Sequence, residues 1–142
     1  MPLPAWMMPL TEDRQRPMAK RDGRVVCIVD DDASLRRSLR NLLMSLGFRV
    51  ETFASAEAFL ESVHPDGVGC MVLDVRMAGM SGVDLLRHLA ATGSPVPAIM
   101  LTAHTDDETR RRSLEAGAVA FLEKPVRSDA LLAAVRTALS SA

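Results

Sequence analysis

The sequence has few cysteines, no large excess of either charge and no long apolar run. Its two cysteines, Cys27 and Cys70, lie inside short apolar runs and match no disulfide or metal-site spacing, so we expect reduced core thiols in a cytoplasmic protein. No apolar run approaches the roughly 20 residues that a membrane-spanning helix needs. A net charge of −1 provides no basic field for nucleic acid. The sequence therefore predicts no membrane association and no direct nucleic acid binding by this segment.

The first 23 residues differ in composition from the rest of the chain. They contain four of the eight prolines and show neither helical nor strand periodicity. A secretory signal is excluded because the prolines interrupt the apolar residues and the arginines come after them. We therefore predict a flexible tail over residues 1–23 and one folded domain over residues 24–142, since this length and composition suit a single domain.

Short apolar runs alternate with helix-like segments in the folded part. The runs cover residues 25–29, 50–53, 70–73, 98–101 and 118–122. Their length and branched side chains favour strands, and the segments between them carry apolar stripes at helical spacing. Five strand–helix repeats predict an α/β fold, in which a five-stranded parallel sheet has helices on both faces.

The polarity of the runs predicts the order of the strands. The second run, residues 50–53, alternates with polar residues and is expected at an edge of the sheet, whereas the other four runs are nearly continuous and are expected in its centre. An edge position for the second strand matches the flavodoxin-like order 2-1-3-4-5.

Polar side chains follow the four apolar strands where each strand ends. They are Asp30, Asp31 and Asp32 after the first strand, Asp74 after the third, Thr102 after the fourth and Lys124 near the end of the fifth. Each has a simple structural explanation by itself, and Asp32 is predicted to cap the first helix. Ligands of open α/β sheets bind beyond the carboxyl ends of the strands. The joint arrangement therefore predicts a binding site at this edge.

The chemistry of these side chains favours a divalent cation. Carboxylates on adjacent strands repel one another unless a cation neutralises them, and a set of oxygen ligands with few protein contacts suits Mg²⁺. Lys124 is the single lysine of the folded part, and its compact charge can pair with a carboxylate or a phosphate. Pro125, which follows it, raises the chance of a cis bond. The three histidines are scattered along the chain, which argues against a zinc site.

Four motifs at these strand ends resemble a known family. They are residues 28–32 (IVDDD), 73–82 (LDVRMAGMSG), 101–103 (LTA) and 124–125 (KP). Residues 24–139 resemble the receiver domain of bacterial two-component response regulators, most closely the FixJ-type subfamily. The resemblance implies a phosphoacceptor switch that catalyses only its own phosphorylation and dephosphorylation. Its partner would be a sensor histidine kinase or a phosphotransfer protein, and it would signal through protein–protein contacts.

The resemblance also implies roles for individual residues. Asp74 would accept the phosphoryl group, while Thr102 would hydrogen-bond the phosphoryl oxygens and Lys124 would pair with them. The ligands of Mg²⁺ would be Asp30, Asp31, Asp74 and the backbone carbonyl of Arg76. Homodimers that form through the fourth and fifth helices are common in the family, so a second copy is a candidate partner.

Two further features concern signalling. Ala78 stands where the family commonly has proline, which is expected to loosen the loop that carries Arg76. The fourth helix, roughly residues 106–116, has few apolar anchors, and Thr105 with Glu108 forms a capping-box pattern at its start. We expect this helix to shift easily, together with an aromatic residue at position 121 that changes rotamer on activation in the family.

Three other classes of protein fit parts of the pattern. An aspartyl-phosphate phosphatase would form the same covalent intermediate, but its nucleophile usually follows the first strand, whereas Asp74 follows the third. A flavodoxin-type cofactor binder would need a phosphate-cradling loop where three aspartates repel anions. A degenerate receiver that serves only as a dimerisation scaffold would not need the complete set of acidic, threonine and lysine side chains.

Overall fold

The computed structural model describes residues 24–62, 65–104 and 106–140, so the predicted tail over residues 1–23 lies outside the described residues. The strands are β1 (Val25–Val29), β2 (Val50–Phe53), β3 (Val68–Asp74), β4 (Ala98–Thr102) and β5 (Ala118–Glu123). The helices are α1 (Ala33–Ser45), α2 (Ala56–Ser62), α3 (Gly82–Ala91), α4 (Asp107–Glu115) and α5 (Ser128–Ser140), with a 3-10 turn at Pro65–Gly67. No helix in the described ranges is long and apolar enough to cross a membrane.

The strands form one parallel sheet in the order β2-β1-β3-β4-β5. This confirms the predicted order 2-1-3-4-5. The register pairs Val29 of β1 with Leu73 of β3, and Asp74 of β3 with Leu101 of β4. The residues that follow these pairs therefore emerge beside one another at a single edge of the sheet, and this alignment positions the candidate site.

The fifth apolar run is not central, which corrects the expectation from its composition. β5 forms the edge opposite β2, and Val119 is 43% exposed. Phe121 of β5 packs against one core and Leu122 against the other, so both faces of the strand have apolar neighbours. One backbone edge of β5 has no strand partner within the described ranges. A continuous apolar run thus indicates that a strand has apolar contacts on both faces. It does not indicate whether the strand is central or at an edge of the sheet.

Side chains of the sheet alternate between two cores. Cys27 of β1 faces the core that contains Phe59 of α2, whereas Ile28 faces the core that contains Leu43 of α1 and Leu131 of α5. Helix α3 contributes buried residues to the first core. The helices therefore cover both faces, as predicted, and hold the strand ends in fixed positions.

The two cysteines are buried, free thiols that face opposite cores. Cys27 belongs to the α2 side and Cys70 to the α1 side of the sheet, although both lie on neighbouring strands. Burial raises the pKa of each thiol to about 12. Both thiols therefore stay protonated at neutral pH, which agrees with the expected role as core residues.

Helix α4 is anchored weakly and begins one residue later than predicted. Its N-cap is Asp106, whose Oδ1 accepts the Thr109 N–H at 2.7 Å, and Thr105 of the predicted capping box lies outside the described residues. Leu114 is 46% exposed. Ser113 is the buried residue of the helix, and its hydroxyl has no hydrogen-bond partner among the described residues. The inner face of α4 therefore offers the sheet little apolar surface.

Replacing Ser113 with alanine is expected to increase the free energy of unfolding by about 1 kcal/mol, because the buried hydroxyl loses its bonds to water and gains none in the protein. Chemical denaturation measures the change. Alanine also has the higher helix propensity, so Ser38→Ala on the exposed face of α1 is the matched control. A gain no larger than that of Ser38→Ala would show that the Ser113 hydroxyl has a partner in solution.

Candidate functional site

Three carboxylates meet at the carboxyl edge of the sheet. One oxygen atom from each of Asp30, Asp31 and Asp74 lies within 4.8 Å of the other two. Asp30 is fully buried and Asp74 is 5% exposed, whereas Asp31 is exposed. Strands β1 and β3 bring the two buried carboxylates to this edge, so the cluster contains two desolvated acids and one that solvent reaches.

Lys124 provides a positive charge to both buried carboxylates. Its Nζ lies 3.0 Å from Asp30 Oδ2 and 3.5 Å from Asp74 Oδ2. The backbone N–H of Lys124 donates to the Thr102 carbonyl at 2.8 Å, and the bond to Pro125 is cis, as the sequence suggested. Burial disfavours the charged ammonium, but the nearby negative charges of Asp30 and Asp74 outweigh this effect and raise the pKa of Lys124. Lys124 therefore stays charged at neutral pH.

Lys124 compensates the negative charge around Asp74 only in part. Burial raises the pKa of the Asp74 carboxyl, and the neighbouring charge of Asp30 raises it further. The Lys124 ammonium and the Arg76 N–H, which donates to Asp74 Oδ1 at 3.2 Å, offset these effects only in part. A carboxyl with a raised pKa in a charged cluster is typical of a functional site and favours an additional cation.

One oxygen of Asp30 provides a direct test of whether the cluster fits a metal ion. Asp30 Oδ1 accepts the Asp32 N–H at 2.9 Å, whereas buried Asp30 Oδ2 has no hydrogen-bond partner among the described residues. The Lys124 ammonium is near Oδ2 but does not form a hydrogen bond of good geometry with it. Leaving a buried carboxylate oxygen without a hydrogen bond is costly. A divalent cation bound between the carboxylates would remove that cost, so the donor set fits Mg²⁺.

Thr102 reaches the same edge but directs its hydroxyl to the adjacent loop. It is 2% exposed and ends β4 beside β3. Its Oγ1 donates to the His104 carbonyl at 2.8 Å and accepts the His104 N–H at 3.1 Å. The structure therefore brings Thr102 to the site while its hydroxyl is bonded to the backbone that leads into α4.

The loop between β1 and α1 holds Asp30 from both sides. Asp32 caps α1 as predicted, because its Oδ1 accepts the N–H groups of Ser34 and Leu35. Arg36, which was not predicted from the sequence as a site residue, donates from Nη1 to the Asp30 carbonyl at 2.7 Å. Its place four residues after the cap, on the first turn of α1, is the signal that could have revealed it.

A second missed residue is Arg110 of α4. Its guanidinium carbon lies 5.7 Å from the centre of the Phe121 ring, a cation–π geometry. Phe121 is half-buried on β5. Phe121 and the mobility of α4 were inferred separately from the sequence, and the contact between Arg110 and Phe121 joins them.

Comparisons with known proteins agree with this geometry. The response regulator receiver domain family matches residues 26–136. The chain is 45% identical over 118 residues to the response regulator protein TmoT of Ectopseudomonas mendocina, which covers 83% of this chain and 54% of TmoT. It is 42% identical over 117 residues to the transcriptional regulatory protein FixJ of Bradyrhizobium diazoefficiens, covering 82% of this chain and 57% of FixJ.

A solved structure gives the same result for the fold. The crystal structure of FixJ-N superimposes with a TM-score of 0.76 at 39% sequence identity, covering 84% of this chain and 95% of that one. The resemblance to FixJ-type proteins is therefore confirmed. The chain spans about half the length of the curated relatives it matches. Because the family match and the FixJ-N superposition both cover most of this chain, the chain belongs to the response regulator receiver domain family.

Proposed function

We propose that Asp74 accepts a phosphoryl group from a phosphohistidine of a partner kinase or phosphotransfer protein in a Mg²⁺-dependent reaction. The observation that carries this proposal is the position of the Asp74 carboxylate at the edge of the sheet. It lies within 4.8 Å of carboxylate oxygens of Asp30 and Asp31 and 3.5 Å from Lys124 Nζ. Receiver domains are signalling switches, and the alternative of a phosphatase or a simple scaffold is not favoured.

Four residues would hold the metal ion. Asp30, Asp31 and Asp74 would contribute carboxylate oxygens, and Arg76 would contribute its backbone carbonyl. The buried Asp30 Oδ2, which has no hydrogen-bond partner among the described residues, supports this assignment. Bound Mg²⁺ would supply positive charge that neutralises the carboxylates and the incoming phosphoryl oxygens.

The transfer itself uses the side chains of the site. An oxygen of the Asp74 carboxylate attacks phosphorus, the P–N bond to the donor imidazole breaks, and the imidazole leaves with the bonding electrons. Lys124 stabilises the negative charge on the phosphoryl oxygens by exchanging one carboxylate partner for them. Later attack of water on phosphorus releases inorganic phosphate and restores the Asp74 carboxylate. The domain thus catalyses only its own modification and its reversal.

The signal would leave the site through Thr102. Its hydroxyl bonds to the His104 backbone, and turning toward a phosphoryl oxygen would break those bonds at the start of the loop into α4. Because α4 is anchored weakly, these changes would let the helix shift. The contact between Arg110 and Phe121 would couple that shift to the Phe121 ring. The shifted face would contact a partner protein or a second copy of the chain, and this segment would not bind nucleic acid directly.

Mapping the modified residue tests the proposal. Incubation with acetyl phosphate and Mg²⁺ is expected to add one phosphoryl group that hydroxylamine removes, as for an acyl phosphate. Borohydride reduction followed by peptide mass spectrometry should locate it at Asp74. Phosphate on Asp30 or Asp31, or modification of equal extent with Mg²⁺ removed by a chelator, would contradict the assignment.

A further inference from the structure

The loop that follows Asp74, residues 75–81, is fixed at its two ends by local hydrogen bonds. At the start, the Arg76 N–H donates to Asp74 Oδ1 at 3.2 Å. At the end, the Gly82 N–H donates to the Val75 carbonyl at 3.0 Å. The stretch between Arg76 and Ser81 includes Ala78, where the resemblance leads one to expect a proline, so this part lacks the backbone restriction that proline would provide.

The middle of this loop is held by a side chain from another element. Glu57 of α2 accepts the Met80 N–H on Oε2 at 2.8 Å, a contact between residues 23 positions apart in the sequence. Among the described residues, this is the side-chain hydrogen bond that ties the Met77–Met80 part of the loop to the rest of the fold. The conformation of the loop therefore depends on a residue outside the sheet edge.

Glu57 is well placed to hold the loop because α2 is firmly anchored. Ser55 Oγ accepts the Ala58 N–H at 3.0 Å at the start of the helix. Phe59 is fully buried and packs edge-to-face on Phe53 of β2, with ring centres 5.5 Å apart. The backbone that carries Glu57 is thus fixed relative to the sheet, although the carboxylate itself is exposed.

The contact between Glu57 and the Met80 N–H requires glycine at position 79 for two reasons. Its φ of +80° lies in the left-handed region, which glycine adopts without steric cost. A Cβ atom at position 79 would lie 2.7 Å from Glu57 Oε2 and 3.3 Å from Oε1. Any larger residue would strain the backbone and also displace the carboxylate from the Met80 N–H. The same N–H bond lowers the pKa of Glu57, so the carboxylate is ionised at neutral pH.

We infer that Glu57 is a positioning residue for the Mg²⁺ site. By holding the Gly79–Met80 peptide, it keeps the proline-free loop that carries Arg76 in one conformation. The inference rests on the proposed function, because the Arg76 carbonyl is one of the proposed ligands. It assigns to an exposed glutamate of α2 the restraint that a proline at position 78 would otherwise provide.

Mg²⁺ titration by isothermal calorimetry tests the inference with matched variants. Glu57→Ala is expected to raise the Kd for Mg²⁺ about fivefold, which is less than the roughly 10- to 100-fold effect of losing a direct partner of a ligand, because Glu57 acts on the loop. Glu57→Gln retains an oxygen acceptor and should stay within about twofold of the wild type. Glu61→Ala removes an exposed carboxylate from the same helix and should leave the Kd unchanged.

Two further measurements separate loop positioning from a simple charge effect. Without Mg²⁺, the Met80 amide is expected to exchange with solvent faster in Glu57→Ala than in the wild type, because its acceptor is gone. Adding Ala78→Pro to Glu57→Ala should recover the Kd, since proline restricts the loop directly.

A Kd for Glu57→Ala equal to that of the wild type would overturn the inference. So would a Kd for Glu57→Gln as weak as that for Glu57→Ala, which would assign the effect to charge, or a lack of recovery with Ala78→Pro. A wild type that fails to bind Mg²⁺ or to be phosphorylated would instead overturn the proposed function.

Discussion

Replacing Lys124 with methionine is expected to destabilise the Mg²⁺-free protein at neutral pH by about 2–4 kcal/mol, because a buried ionised carboxylate that loses its partner is costly. Asp30 is fully buried, and its Oδ2 would lose the ammonium that lies 3.0 Å away. Methionine fills a similar volume, so the loss reflects charge more than packing.

The same variant should slow phosphorylation by about 100- to 1000-fold, since the cation that stabilises the phosphoryl oxygens is gone.

Chemical denaturation with and without Mg²⁺ measures the first effect. Added Mg²⁺ should recover much of the lost stability, because the ion neutralises the same carboxylates. Arg127→Met is the matched control, since Arg127 forms an ion pair with Asp129 on the exposed surface and should give no resolvable change. If Lys124→Met and the wild type unfold at the same denaturant concentration without Mg²⁺, the ion pair seen here does not stabilise the protein.

The positions of Asp30, Asp74 and Lys124 could be predicted because a parallel sheet leaves little freedom at its carboxyl edge. Once β1 and β3 are neighbours, the register that pairs Val29 with Leu73 brings the next two residues together. Polarity alternation in β2 also gave its edge position correctly. The place of β5 could not be obtained in the same way, since apolar contacts on both faces occur in central and edge strands alike.

Residues that reach the site through long side chains were not predictable from strand ends. Arg36 contacts the Asp30 carbonyl from α1, and Glu57 contacts the Met80 N–H from α2. Both are charged residues on helices, and their partners are backbone groups that a sequence pattern does not identify. The periodicity of apolar residues predicts which face of a helix is buried. Contacts between side chains near the ends of a helix and neighbouring loops depend instead on how helices and strands pack together. The N-cap of α4, Asp106, was not predicted for a related reason, because several residues near it, including the predicted Thr105, are suitable caps.

Replacing Asp74 with asparagine is expected to increase the stability of the Mg²⁺-free protein at neutral pH by about 1–2 kcal/mol, because it removes one charge from a buried like-charged pair. Burial and the charge of Asp30 raise the pKa of Asp74, so its ionised form is disfavoured in the fold. Lys124 keeps its closer partner, Asp30, in the variant. A change that abolishes the proposed phosphoacceptor should therefore make the resting protein more stable.

The pH dependence of this gain has a definite sign. The pKa of Asp74 in the folded protein is raised above its value in the unfolded chain. Below the ordinary carboxyl range Asp74 is therefore protonated in both states, and it does not oppose folding there. The wild type then loses stability as the pH rises from that range through the pKa of folded Asp74, whereas Asp74→Asn does not. Denaturation midpoints of the two proteins should therefore converge at acidic pH and separate toward neutral pH, with Asp84→Asn on the exposed surface of α3 as the control.

Mg²⁺ should reduce or reverse the difference in stability between the wild type and Asp74→Asn. The ion binds the folded wild type through Asp74 and stabilises it in proportion to the logarithm of its concentration over Kd, whereas Asp74→Asn has lost one anionic ligand and gains less. At millimolar Mg²⁺ the difference between the two proteins should thus shrink or change sign. An Asp74→Asn protein that is less stable than the wild type without Mg²⁺ at neutral pH would show that Lys124 fully compensates both carboxylates. The cluster would then have no need of a second cation, and the electrostatic argument for the metal site would fail.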